Sequence, residues 1–144
     1  MPGTYEKFGI KFLYPENWQL AEEASDEWPK TVTVQSPEGA FLSIYVYEGG
    51  VNLPELVREA VEAMQAEYED LEAEEILQPD DADYGYDIDF YCLDLVVTTH
   101  IRGALLPGLA VVWQSQAESR DFDKCEIVFK AITASLLGKL PERT

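Results

Sequence analysis

Ala40-Phe-Leu-Ser-Ile-Tyr-Val-Tyr47 is the stretch on which the fold turns. Its period-two alternation places Ala40, Leu42, Ile44 and Val46 on one face of a strand and Phe41, Ser43, Tyr45 and Tyr47 on the other. The aliphatic face is expected to meet helices, which leaves the aromatic reverse as the more interesting surface. Upstream, Gly9 to Tyr14, Trp18 to Glu22 and Lys30 to Gln35 read as further short strands, and the turn residues Pro15-Glu-Asn17 and Pro37-Glu-Gly39 imply hairpins between them.

Downstream the period changes to that of a helix. Asn52 has the character of an N-cap, with Pro54 near the first turn and Glu55 three residues on. Leu53, Leu56, Val57, Ala60, Val61, Met64 and Tyr68 then share one arc, while Glu55, Glu59, Glu62 and Glu69 form an acidic stripe opposite. Glu74 to Gln78 reads as a strand. Tyr84 to Leu93, Leu95 to Leu106 and Leu109 to Gln116 read as an antiparallel meander with turns near Asp94 and Pro107-Gly108. A second helix over about Arg120 to Leu137 aligns Phe122, Cys125, Val128, Phe129, Ile132 and Leu136 and closes at Gly138. Residues 1–144 are therefore expected to form a single α+β domain: a largely antiparallel sheet packed with two main amphipathic helices.

Ten basic against twenty-eight acidic side chains give a formal charge of −18, and residues 51–100 hold one base against fifteen acids. Apolar residues still make up 47% of the chain, so the acidity belongs to the surface of a folded domain and not to a disordered tail. Such a surface repels phosphate backbones and anionic lipid, so neither nucleic acid nor membrane is an expected partner. Cys92 and Cys125 have no metal-ligand spacing and read as reduced thiols. The N-terminal residues have no apolar signal segment, and the expected location is the cytoplasm.

Phe8-Gly-Ile-Lys-Phe-Leu-Tyr14-Pro15-Glu-Asn-Trp18 near the start and Phe129-Lys-Ala-Ile132-Thr-Ala-Ser135-Leu136 near the end resemble the flanking signatures of the PsbP-like superfamily. That superfamily includes the photosystem subunit, the Ran-binding Mog proteins of nuclear import and bacterial relatives such as the Eag-type chaperones of type VI secretion. The resemblance implies a PsbP-like sandwich and a non-catalytic binding role in an uncharacterised bacterial branch. In such a fold Tyr14, Trp18 and Phe129 wedge the sheet against the last helix.

Three sets of residues compete as sites. Asp80, Asp81, Asp83, Asp87 and Asp89 suggest a hard cation, but counted from Asp81 the sixth position is Tyr86 and the twelfth Cys92, where a calcium loop needs Gly and Glu. A solvated turn is the expected reading. His100, the only histidine, would need Cys92 or another nucleophile beside it to act as a base. The aromatic sheet face offers Phe41, Tyr45 and Tyr47, with Tyr91 and Trp113 as further members, a composition suited to partner binding. The expected function is a non-enzymatic protein-binding domain, a chaperone or adaptor, that needs no cofactor or metal. Its partner would be a protein, a hydrophobic peptide segment or a second copy of the chain. The alternatives are a metal-assisted or Cys/His hydrolase, built on the aspartate cluster or on Cys92 with His100, and an immunity protein against a basic toxin.

Overall fold

A computed structural model of the chain describes residues 2–23, 26–68, 70–77 and 84–138. The chain runs through β1 (Gly3–Lys7), β2 (Ile10–Tyr14), β3 (Gln19–Glu22), β4 (Lys30–Gln35) and β5 (Phe41–Glu48) to α1 (Leu53–Glu67). It continues through β6 (Glu72–Leu77), β7 (Tyr84–Cys92), β8 (Leu95–Leu106) and β9 (Leu109–Glu118) to α2 (Ser119–Leu136). Seven strands form one antiparallel sheet in the order β3-β4-β5-β9-β8-β7-β6, and β1 pairs with β2 in a separate hairpin. The class is the α+β arrangement that the alternating and helical periods predict.

The alternation of β5 sets the layers. Leu42, Ile44 and Val46 are fully buried together with Ile10 and Phe12 of the β1–β2 hairpin and with Phe122, Phe129, Ile132 and Leu136 of α2. On the opposite face Ile88, Phe90, Ile101, Ala110 and Val112 pack under Leu53, Val57, Val61 and Met64 of α1. The sheet is thus the middle of three layers. An aromatic face left bare by helices on one side only is not what the chain adopts, because each amphipathic helix takes its own side of the sheet.

Asn52 caps α1 as its sequence implies, its Oδ1 accepting from the Glu55 N–H at 3.1 Å. The meander β7–β8–β9 also forms as read, and Gly138 follows α2 with a φ of 69°. One reading changes. The hairpin expected at Pro15–Asn17 does not form: β2 pairs with the unforeseen β1 through a turn at Phe8-Gly9, and β3 pairs with β4. The Pro15 turn, closed by the Trp18 N–H on the Pro15 carbonyl at 3.0 Å, carries the chain from the hairpin layer into the sheet. Trp18 then meets Phe129 edge-on at 5.9 Å, and both are buried, which is the wedge that the terminal motifs imply. Among the described residues no helix is long and apolar enough to cross a membrane.

Candidate functional site

Helix α1 lies over β7, β8 and β9, seated closely where Gly103 has no side chain to hold it off. It stops short of β5. The aromatic side of β5 is therefore left as one wall of a groove, in which Phe41, Tyr45 and Tyr47 are half-buried. Leu56, Glu59, Ala60, Ala63, Glu67 and Tyr68 of α1 and its C-cap form the other wall, and Val112, Gln114 and Gln116 form the floor. The space amounts to about 500 Å³. The small side chains of Ala60 and Ala63 keep it open, while Tyr68 closes the far end of α1 with its ring tilted against Phe90 at 4.3 Å.

The chemistry of the groove is apolar with polar handles. Burial raises the Tyr45 phenol above its ordinary pKa, outweighing the hydrogen bond with Ser43; burial, then Tyr45 and Glu59, raise that of Tyr47. Both phenols are neutral donors at physiological pH. The floor amides are tied down: Gln114 donates to the Met64 sulfur at 3.8 Å and to Gln116 at 3.3 Å, and Thr99 donates to Gln116 at 2.8 Å. Glu59 and Glu67 make the rim acidic. A site so lined is chemically complementary to apolar and basic groups.

Of the five aromatic residues expected on one surface, Phe41, Tyr45 and Tyr47 come together and two do not. Trp113 pairs with Ile44, so it shares the Ile44 face and is buried at 6% exposure in the core under α2. Tyr91 projects to that same side from the end of β7 and is 66% exposed. The register, a single-residue matter of parity, decides both. The apolar residues of the α1 wall, Leu56, Ala60 and Tyr68, were missed as part of a site, although the acidic stripe that includes Glu59 is readable in the helical pattern.

His100 does not meet Cys92. It lies opposite Asp87 on the α2 side, whereas Cys92 lies opposite Leu95 and packs on the α1 side. The Cys/His pairing is overturned by that parity. Instead His100 Nε2 lies 3.4 Å from Asp87 and Nδ1 lies 3.6 Å from Glu126, with Phe122 at 4.5 Å ring to ring. Arg102 grips Asp87 at 2.5 Å and donates to the Tyr86 carbonyl at 3.0 Å. Burial lowers the His100 pKa, and the nearby carboxylates only partly oppose it. Asp80, Asp81 and Asp83 lie outside the described residues. Asp87 is taken by Arg102, and Asp89 accepts from Thr98 at 2.7 Å. Among the described residues no three His, Cys, Asp or Glu side chains are grouped to hold a metal. Cys92 and Cys125 are free thiols.

No family model matches the chain, and no curated protein matches it. Among solved structures, the solution structure of cyanobacterial PsbP (CyanoP) from Synechocystis sp. PCC 6803 superposes with a TM-score of 0.61 at 12% identity, over 93% of this chain and 90% of that one. The fold is PsbP-like. A crystal structure from Bacteroides thetaiotaomicron VPI-5482 has a TM-score of 0.46 at 12% identity, over 94% of this chain and 45% of that one. In this PsbP-like sheet the groove sits on the α1 side, and the motifs at the two ends of the chain lie in the opposite core. Those motifs are structural. The groove residues stand apart from them.

Proposed function

We propose that this chain is a non-enzymatic, cytoplasmic binding domain whose groove between α1 and β5 takes a polypeptide segment carrying apolar and basic side chains. The observation that carries this reading is the half-buried aromatic wall of Phe41, Tyr45 and Tyr47 beneath the acidic rim of Glu59 and Glu67. Apolar side chains of the segment would enter between the tyrosines and Ala60. Its basic side chains would meet the rim, and the −18 charge of the chain would steer the encounter and disfavour acidic competitors. Shielding a hydrophobic segment, as an Eag-type chaperone does, is the form of action that best fits an open groove of this size. Neutralisation of a basic toxin would draw on the same rim.

A labelled amphipathic peptide with leucine on one face and lysine on the other tests this by fluorescence anisotropy. Tyr45→Ala with Tyr47→Ala should weaken it by about 2 kcal/mol or more per ring, the scale of interface aromatics. Because both rings also pack against the α1 cluster, that variant loses roughly 1 kcal/mol of stability per ring. Glu59→Lys with Glu67→Lys supplies the clean control: both positions are exposed, so folding is kept while peptide binding falls. Unchanged affinity in both variants would end the groove reading.

A further inference from the structure

The turn joining β7 to β8 begins with a residue that disfavours it. Leu93 and Asp94 both take positive φ, 51° and 66°. Two-residue hairpins ask for that left-handed pair, which Asn-Gly or Asp-Gly supplies at low cost. A leucine there works against its own Cβ, and at 91% exposure the Leu93 side chain gains nothing from burial. Tyr91, Leu95 and Val96 beside it are 66%, 47% and 39% exposed. The tip is therefore strained in its backbone and apolar on its surface, a combination that turn stability alone does not explain.

The flank of the same hairpin carries charge. Glu72 of β6 lies directly across from Asp89 of β7, and with Asp70 they line a cavity of about 470 Å³ that Tyr91, Val96 and Thr98 also line. Like charges facing across a ladder repel. The next such pair along the ladder, Glu74 with Asp87, is relieved by Arg102 on Asp87. Among the described residues, no basic side chain forms an ion pair with Asp70, Glu72 or Asp89.

The geometry points to this hairpin as a second docking surface, whose occupant is a protein segment presenting an apolar patch to Leu93 and an arginine or lysine side chain to the carboxylate cavity. Charge complementarity selects that occupant: an anionic lipid or an acidic peptide would add to the repulsion already present. A guanidinium meets both carboxylates and lies against the Tyr91 ring, replacing a like-charge contact with charge-assisted hydrogen bonds. The surface is separate from the α1 groove, so it stands or falls on its own.

An amphipathic peptide with leucine on one face and arginine on the other, titrated into the isotope-labelled full chain, tests this by amide shifts. The expected result is saturable shifts at Tyr91, Val96, Thr98 and Ser119, with affinity reduced about tenfold in Asp89→Asn and in Leu93→Asn with Asp94→Gly. The second variant installs Asn-Gly at the two left-handed positions, so it should melt above the parent while binding less. Damage to the fold cannot produce that pairing. Shifts confined to the α1 groove would overturn the proposal and leave the groove reading intact. So would shifts spread evenly over the acidic surface that vanish with salt, or no shift at the tip. Concentration-dependent broadening of the tip without peptide would overturn it in favour of a second copy of the chain.

Discussion

Replacing Gly103 by alanine tests how α1 is seated, and with it the shape of the groove. A Cβ at this position would lie 2.8 Å from Leu53 Cδ1, 3.2 Å from Leu53 Cγ and 3.0 Å from Val57 Cγ2. Non-bonded carbons settle at about 3.5–4.0 Å, so each contact must open by several tenths of an ångström. Leu53 can turn its end away. Val57 cannot, because it is β-branched in a helix and fully buried, so α1 itself must lift. Overpacking of this kind costs about 1–3 kcal/mol. The gain from replacing a strand glycine returns roughly 0.5–1 kcal/mol, which leaves a net loss of about 1 kcal/mol at the middle of the two ranges. Urea denaturation measures it directly. A double-mutant cycle with Val57→Ala then identifies the cause: removing the methyl groups makes room for the new Cβ, so the pair should lose less than the two single losses added together, by about 1 kcal/mol. Parental stability in Gly103→Ala, or strict additivity in the cycle, would refute the close seating of the helix.

Phe129→Ala should cost about 3–5 kcal/mol, since the ring is buried and meets both Trp18 at 5.9 Å and Phe122 at 5.8 Å. Trp18→Ala should fall in the same range, and a loss below about 1 kcal/mol at either site in chemical denaturation would remove the terminal motifs from the core. His100 makes stability depend on pH. Its folded pKa lies below the ordinary 6.5 because burial disfavours the charged ring, so the unfolded chain takes up the proton first. Stability from this group is present above the unfolded value, falls as the pH drops from there toward the folded value, and then levels off. Denaturation curves between about pH 7 and pH 5 should show a slope that His100→Gln flattens, and an identical slope in the variant would contradict the assignment.

Much of the fold was legible in the sequence because it rests on short-range causes. The cap at Asn52, the helical arcs of α1 and α2, the strand alternation of Ala40–Tyr47 and the turn at Pro107-Gly108 each depend on residues within a few positions of one another.

The arrangement of those elements had non-local causes. An amphipathic helix announces that it will bury a face and does not announce which sheet face will receive it, so the separation of α1 and α2 to opposite sides arose only in packing. Strand register likewise depends on partners far along the chain, and a shift of one residue reverses every side chain. That parity sent Trp113 into the core, parted His100 from Cys92 and brought His100 against Asp87 and Glu126. The aromatic face of β5 was determined by the sequence alone, since alternation within one strand is local. That it became a groove and not an open sheet was decided by tertiary structure, because α1, drawn in at Gly103, covers β8 and its neighbours and stops before Tyr45 and Tyr47.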